Sequence, residues 1–223
     1  MPMMKKFPAF GLVALSAVAG IIAGVTALYV IGGPDGNIAA GITGETAACS
    51  AKLERAQALS PVIGGEVAAM LPAEEAQSLE DLRFNGPDGQ PMTVADLSGK
   101  TVLVNLWATW CVPCRTEMPA LDALESEMGS DRFEVVAINV DRGDDEKPKA
   151  FLQETGIKSL AYYRDSSMGV FNDLKTRGLA LGLPVTLLLD EDGCLLAHMN
   201  GPAEWASEDA KKLIEAALPP SGS

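Results

Sequence analysis

Two cysteines are spaced for reversible disulfide chemistry: Cys111 and Cys114 enclose only Val112 and Pro113. Cysteines three residues apart can close a small disulfide ring without unwinding a helix. At a helix start, free backbone N–H groups and the helix dipole stabilise a thiolate. Thiols in such positions have pKa values of roughly 3.5–7.5 instead of about 8.5. We therefore predict Cys111 as the attacking thiol and Cys114, one turn further, as the resolving thiol.

A zinc site is the alternative use of such a pair. Structural zinc takes four ligands, from two cysteine pairs or from one pair and histidines. The chain has no second CxxC, and its single histidine, His198, follows 84 positions after Cys114 (198 − 114). We expect no metal, and no cofactor beyond the redox-active disulfide itself.

The elements around the motif favour an α/β domain. Thr101–Ala108 is an apolar, partly β-branched run that predicts a buried strand, and Arg115–Met128 has helical periodicity with Pro119 inside it. Pro113 suits the first helical turn, where a missing N–H costs nothing. The remaining expected elements are a hairpin over 82–93, strands at Phe133–Val140 and Leu160–Tyr163, a hairpin over 185–199, and helices at Ala48–Leu59, Glu66–Leu71, Asp144–Thr155, Ser167–Thr176 and Glu204–Leu218.

The amino terminus predicts a membrane anchor. Lys5 and Lys6 precede an uncharged stretch from Phe7 to Ile31, long enough as a helix to cross the roughly 30 Å hydrocarbon core. Positive charge before the stretch places the rest of the chain outside the cytoplasm. A cleaved signal peptide is the alternative, with Ala17-Val18-Ala19 as its small-residue site. A lipoprotein anchored at Cys49 fits less well, because Cys49 lies far from the apolar stretch.

Charge and composition exclude one class of partner. The net charge is −13, and a strongly acidic chain repels phosphate backbones, so we expect no nucleic-acid binding. The predicted segments are the anchor (1–31), a Gly-rich tether (32–46), a helical extension (47–78), the main domain (79–218) and a short tail (219–223).

Cys49 and Cys194 remain outside the motif. The favoured interpretation is a structural disulfide that joins the extension to the terminal hairpin, closing a loop of 145 residues (194 − 49). Two free thiols, or a pair that exchanges with Cys111 and Cys114, are the alternatives.

The segment 104–115, VNLWATWCVPCR, resembles the active-site segment of thioredoxin-fold proteins. The resemblance covers about 79–218. Pro119 matches the family's helix-kinking proline. Leu183-Pro184 matches the segment with its cis-proline, which packs against the disulfide and offers backbone to a bound peptide. The implied fold is a three-layer α/β sandwich with a mixed central sheet. The implied substrate groove comprises Trp110, Val112, Pro113, Leu183 and Pro184, with Trp107 as a further candidate.

Within thioredoxins, the chain resembles the membrane-anchored TlpA/ResA/CcmG group, and most of all its TlpA branch, which also has an extension and an extra cysteine pair. A helix and strand over about 142–165 look like the group's central insertion. Glu117 matches a glutamate that the group places beside its redox centre, where it can exchange protons; a first-turn surface glutamate is the alternative. Asn105 stands where cytoplasmic thioredoxins have a buried aspartate, so that residue's proton-accepting role does not carry over.

This resemblance implies a periplasmic protein-disulfide reductase held in the bacterial inner membrane through residues 7–31. Its clients would be proteins with reducible disulfides in cytochrome oxidase copper-centre or cytochrome c biogenesis. A membrane thiol transporter of the DsbD/CcdA type would reduce it again. Three alternatives stay open: a disulfide-forming oxidase, a copper-binding chaperone (for which the CxxC spacing is wrong) and a peroxidase.

Overall fold

The computed structural model describes residues 48–219. The expected anchor, the whole tether, the first residue of the extension and most of the tail lie outside this range. Within it, one eight-stranded sheet has the order β1-β8-β7-β4-β5-β6-β2-β3. Its strands are β1 (Leu71–Pro72), β2 (Arg83–Asn85), β3 (Pro91–Thr93), β4 (Thr101–Trp107), β5 (Phe133–Asn139), β6 (Tyr163–Arg164), β7 (Val185–Leu189) and β8 (Leu195–Asn200).

The helices are α1 (Leu53–Gln57), α2 (Val112–Met128), α3 (Glu146–Glu154), α4 (Gly169–Thr176) and α5 (Glu208–Ala217). Short 3-10 turns occupy Ser60–Val62, Gly65–Val67 and Val94–Leu97. No helix within 48–219 combines the length and hydrophobicity needed to cross a bilayer.

The central strands determine the layering. Every residue of β4 and β7 is buried, so both faces of the sheet are covered. This is the pattern of a strand between two layers, and it explains why Thr101–Trp107 is apolar except for Thr101 and Asn105. The strand β4 pairs in parallel with β5 and antiparallel with β7. The predicted thioredoxin-like α/β fold with a mixed sheet is confirmed.

The CxxC motif and the Cys49–Cys194 disulfide lie at opposite ends of the sheet. Leu106 pairs with Val185 at the end where β4 leads into the CxxC motif, and Val102 pairs with Leu189 at the other end. At that other end β7 turns into β8 through Asp190–Gly193, where Gly193 adopts φ +73°. The extension therefore meets the sheet far from the motif, because Cys49 is bonded to Cys194 directly after this turn.

Ion pairs reinforce the same junction. Arg55 donates to both carboxylate oxygens of Glu191, at 2.9 and 2.8 Å, and Lys52 donates to Glu191 at 3.0 Å. Burial alone would raise the pKa of Glu191, but a backbone hydrogen bond and these two cations outweigh it and lower the pKa to about 2. The extension is thus fastened to the hairpin both covalently and by charge.

Three predicted elements are wrong in place or type. Glu66–Leu71 is not a helix: a 3-10 turn ends at Val67, and Leu71-Pro72 pairs with β8. Two features explain this, since Gly64-Gly65 weakens a helix and the residue before a proline is pushed to extended backbone. The strand expected at Leu160–Tyr163 is only Tyr163–Arg164, because Asp122 Oδ1 accepts the N–H groups of residues 158, 159 and 160 and holds them as a loop.

The last helix begins at Glu208 and not at Glu204. Ser207 caps it, its hydroxyl accepting from Ala210 N at 3.2 Å. The residues before the cap are therefore free to leave the helix axis. Trp205 lies among them and is completely buried.

Candidate functional site

The CxxC motif occupies the junction between β4 and α2. Cys111 N–H donates to the Ala108 carbonyl at 3.1 Å, which turns the chain after the strand. Cys111 is then the N-cap of α2, with φ −90° and ψ 102°, and its Sγ accepts from Cys114 N–H at 3.3 Å. Cys111 and Cys114 form a disulfide. A sulfur that already accepts a helix N–H is placed where a thiolate gains most from the helix terminus.

The two sulfurs differ in access. Cys111 is 6% exposed, whereas Cys114 is completely buried on the inner side of α2. Next to Cys111, the side chains of Trp110 and Val112 are 62% and 70% exposed, and Pro113 is also at the surface. An approaching disulfide therefore meets an apolar rim and Cys111 before it can reach Cys114.

Trp107 is not part of this rim. It is 1% exposed, and its ring packs on Phe151 with centroids 5.6 Å apart. The prediction that Trp107 lines the substrate groove is wrong, because Trp107 is the last residue of a strand that is covered on both faces.

The peptide bond between Leu183 and Pro184 is cis. Pro184 directly precedes β7, whose Val185 pairs with Leu106, so Pro184 lies at the CxxC end of the sheet. The proline is buried, Leu183 is half-buried, and the Pro184 carbonyl accepts from Gly201 N–H at 2.9 Å.

Leu181 is an exposed residue of this region that the sequence did not indicate. Its side chain is 85% exposed on the loop before the cis bond. Asn200 fixes that loop, since its Oδ1 accepts from Leu181 N–H at 2.7 Å and its Nδ2 donates to the Leu179 carbonyl at 3.0 Å. Two hydrogen bonds with Asn200 thus hold the loop that carries this exposed apolar side chain.

Glu117 is buried, with only 3% of its surface exposed, so the alternative of a surface glutamate is wrong. Its Oε1 accepts from Asn105 Nδ2 at 2.9 Å. Its Oε2 accepts from Ala203 N–H and from Trp205 Nε1, both at 3.1 Å. Glu117 lies one helical turn after Cys114, and side chains three apart share one helix face.

The burial of Glu117 changes its acidity. Desolvation raises its pKa from 4.5 to about 7, although the hydrogen bonds from Asn105, Ala203 and Trp205 act in the opposite direction. A carboxyl group with this pKa can give or take a proton near neutral pH, which is what a proton-exchange partner for thiols requires.

A second buried carboxylate supports the turn before the motif. Asp141 accepts from Thr109 N–H at 2.9 Å and from the Thr109 hydroxyl at 3.1 Å, and Asn139 Nδ2 donates to it at 2.8 Å. These contacts hold the residue next to Trp110. No local pattern indicated them, because they join β4 to the end of β5.

Within residues 48–219, neither Cys111 nor Cys114 belongs to a group of three potential metal ligands. The one such group in this part of the chain is Asp190-Glu191-Asp192, at the opposite end of the sheet, where Lys52 and Arg55 already pair with it. His198 lies on β8, two strands from β4, opposite Leu71 of the edge strand.

Comparison with known proteins places this architecture in a family. The Redoxin family profile matches residues 74–214. The thioredoxin-like protein YneN of Bacillus subtilis is 33% identical over 125 residues, which cover 55% of this chain and 69% of that protein. The thiol-disulfide oxidoreductase ResA of Halalkalibacterium halodurans is 30% identical over 138 residues, which cover 61% and 72% of the two chains.

A solved structure agrees with these relatives. The DsbF homologue from Corynebacterium diphtheriae has 25% identity and a TM-score of 0.54, over 66% of this chain and 92% of that one. The range that the Redoxin profile matches, residues 74–214, contains the CxxC motif, the cis-proline and Glu117. The chain belongs to the Redoxin family, and it is a thiol-disulfide oxidoreductase of the TlpA/ResA/CcmG group.

Proposed function

We propose that the chain reduces disulfides of client proteins in the periplasm, held in the bacterial inner membrane through residues 7–31. The observation that carries the reaction is the position of Cys111 at the start of α2, rimmed by exposed apolar side chains, with Cys114 buried behind it. The lysines before an uncharged stretch support the anchor. Labelling of reduced Cys111 by a membrane-impermeant maleimide in intact spheroplasts tests the location; protection until lysis would contradict it.

The exchange takes two steps. The Cys111 thiolate attacks one sulfur of the client disulfide and forms a mixed disulfide, and the first client thiolate leaves and takes up a proton. Cys114 then gives its proton to the Glu117 carboxylate, and its thiolate attacks Cys111 Sγ. The second client thiolate leaves, so the client has gained two electrons and the enzyme has become a disulfide. Cys111, Cys114 and Glu117 are the proposed catalytic residues.

Glu117 also bears on the direction of electron flow. A negative charge one turn from Cys114 opposes formation of a thiolate beside it. Since destabilising the thiolate favours the disulfide form, an ionised Glu117 makes the reduced pair a better electron donor. This supports a reductant over a disulfide-forming oxidase.

The proposed client groove is formed by Trp110, Val112 and Pro113 on one side and by Leu183 and Pro184 on the other. The exposed apolar rim suits an extended client segment, and backbone before β7 can pair with it. We propose as clients the copper-site assembly proteins of cytochrome oxidase or apocytochromes c. A membrane thiol transporter of the DsbD/CcdA type would return the electrons.

Trapping tests this function directly. In a Cys114→Ser chain, mixed disulfides on Cys111 cannot be resolved, so clients should remain bound and be identifiable by mass spectrometry. Cys111→Ser, which keeps Cys114, is the matched control and should trap nothing. Recovery of copper-site or cytochrome precursors supports the proposed pathway. The reduction potential of the Cys111–Cys114 pair gives a second test. A value near roughly −120 mV, as in DsbA, would indicate an oxidase, whereas thioredoxin has roughly −270 mV.

A further inference from the structure

Within residues 48–219, the Asn105 side chain makes hydrogen bonds through its nitrogen but not through its oxygen. Its Nδ2 donates to Glu117 Oε1 at 2.9 Å and to the Thr186 hydroxyl at 3.0 Å. Its Oδ1 is buried and accepts no hydrogen bond from residues 48–219. Buried amide oxygens normally have a partner, so an orphan of this kind calls for a physical reason.

The two oxygens of Glu117 have different surroundings. Oε2 accepts from two donors, Ala203 N–H and Trp205 Nε1, and neither of these can accept a proton. Oε1 faces Asn105. When Glu117 is neutral, its proton must therefore reside on Oε1. In the present orientation of Asn105, the Nδ2–H group would then point at the Oε1–H group, and both are donors.

We propose that the Asn105 carboxamide turns over when Glu117 gains a proton, so that Oδ1 accepts the Oε1–H group in place of Nδ2 donating to Oε1. The Thr186 hydroxyl follows this change, because it accepts from Nδ2 in one orientation and donates to Oδ1 in the other. The amide then makes two hydrogen bonds, to Glu117 and to Thr186, in both protonation states, while Nδ2 takes the buried position in which Oδ1 has no donor. Asn105 is a positioning residue. By turning over, it keeps its N–H group from facing the Oε1–H group of neutral Glu117.

This inference rests on the proposed proton exchange by Glu117 and specifies how that site is built. An amide suits the position because one side chain offers both a donor and an acceptor. Aspartate would place a second carboxylate at about the same distance, and leucine would offer neither group. The pKa of Glu117, about 7, means that both protonation states are populated at neutral pH.

No charged group hydrogen-bonds to Glu117 among residues 48–219. The contacts come from Asn105 on β4 and from Ala203 and Trp205 before α5, and Asn105 is backed by Thr186 on β7. On α2 itself, Cys114 precedes Glu117 by three residues on the same helix face, and it does not titrate while it is in the disulfide. The oxidised protein therefore isolates the Glu117 proton from the chemistry of the thiols.

The test is a pH titration of the oxidised full chain in detergent, with ¹³C-labelled glutamate and ¹⁵N-labelled asparagine, followed by NMR. We expect the Glu117 carboxyl signal and the Asn105 amide signals to change with one midpoint. Below it, the contacts between the Asn105 amide protons and both Glu117 and Thr186 should disappear. Asn139 is an internal control, since its Nδ2 and Oδ1 are both bound to Asp141 and its amide should stay fixed.

The outcomes separate the two proposals. If Glu117 titrates while the Asn105 contacts persist at every pH, the amide does not turn over and the inference is wrong, but the proton role of Glu117 stands. If the Glu117 signal shows no titration between pH 5 and pH 9, the proton role fails and the inference fails with it.

A pair of variants gives an independent readout. Trp205→Phe removes a group that can only donate and should raise the pKa of Glu117. Asn105→Leu removes a group that stabilises both protonation states, so it should shift the same titration midpoint less. A shift from Asn105→Leu equal to or larger than that from Trp205→Phe would show that Asn105 is only a fixed donor.

Discussion

Trp205 Nε1 donates to Glu117 Oε2 across 3.1 Å, although 88 residues separate the two side chains in sequence. Both residues are buried, and Ala203 N–H reaches the same oxygen. Through Gly201, the same segment also binds the carbonyl of Pro184. The loop between β8 and α5 therefore connects the buried carboxylate to the cis-proline, so the acidity of Glu117 depends on a segment outside the CxxC helix.

Replacing Trp205 by phenylalanine should raise the pKa of Glu117 above its present value of about 7. The variant keeps an aromatic ring but loses a charge-assisted hydrogen bond, which contributes about 1.5–3 kcal/mol. Trp107→Phe is the control, because Trp107 Nε1 is buried without a hydrogen-bond partner in the described part of the chain, and its loss removes no contact to Glu117. NMR titration of the oxidised chain measures the midpoint, and equal midpoints in the two variants would contradict this role for Trp205.

The free energy of unfolding should change with pH because Glu117 titrates differently in the folded and unfolded chain. Its pKa is about 7 when folded and about 4.5 when unfolded, so the folded chain holds this proton more tightly. The resulting stabilisation is complete below pH 4.5 and is lost as the pH rises to about 7; it amounts to about 3 kcal/mol.

Glu117→Gln should remove that dependence. Urea unfolding at pH 4.5 and pH 8 should show the wild-type chain losing about 3 kcal/mol relative to the variant over this range. Glu154→Gln, an exposed change at the end of α3, should run parallel to the wild type. A wild-type profile parallel to that of Glu117→Gln would mean that Glu117 titrates alike in the folded and unfolded chain.

The two disulfides should differ in how readily they open. Cys111 leaves easily as a thiolate because it lies at a helix N-terminus, whereas Cys49 and Cys194 are buried where the extension meets the β7–β8 turn. Graded dithiothreitol with alkylation and peptide mass mapping should therefore show Cys111 and Cys114 modified first. Simultaneous opening would favour exchange between the two pairs.

Removing the second disulfide should lower stability without abolishing exchange chemistry. In the chain-entropy description, a loop of 145 residues corresponds to a loss of about 5 kcal/mol in Cys49→Ala/Cys194→Ala. Denaturant unfolding measures the loss, and reduction of a small disulfide measures the chemistry. A variant of unchanged stability would show that the ion pairs of Arg55 and Lys52 suffice to hold the extension.

Leu181 should contribute to binding of protein clients. If its side chain is buried against a client, Leu181→Asn should slow reduction of a trapped client protein by about tenfold, since burying a leucine contributes about 1.5–3 kcal/mol. Reduction of a small disulfide should be unchanged. Leu71→Asn is the matched control, an exposed leucine on the edge strand β1. Equal effects of both changes would place Leu181 outside the client surface.

The features that follow from adjacent residues were predictable. The succession of a buried strand, the CxxC pair and a helix placed Cys111 at the helix start, and the resemblance to the TlpA/ResA/CcmG group placed Glu117 beside the redox centre. The α/β fold with a mixed sheet followed from the order of apolar runs. These patterns are local, so one stretch of sequence contains the whole signal.

Contacts across the fold left no comparable signal. Trp205 was expected inside a helix beginning at Glu204, although Ser207 followed by Glu208 and Asp209 is a capping pattern that marks the later start. Even with that boundary, its hydrogen bond to Glu117 depends on the packing of β8 and α5 against α2. The Asn200 contact to Leu181 and the Asp141 contact to Thr109 likewise join residues 19 and 32 positions apart in sequence.

The junction of Cys49 and Cys194 also determines from which side the domain can be held. It lies at one end of β4 and the reactive pair at the other, and seven strand residues separate the ends by roughly 20 Å. Cys49 thus lies at the end of the sheet remote from the exchange site. A probe or an immobilising group attached beside it would leave the apolar rim at the opposite end uncovered.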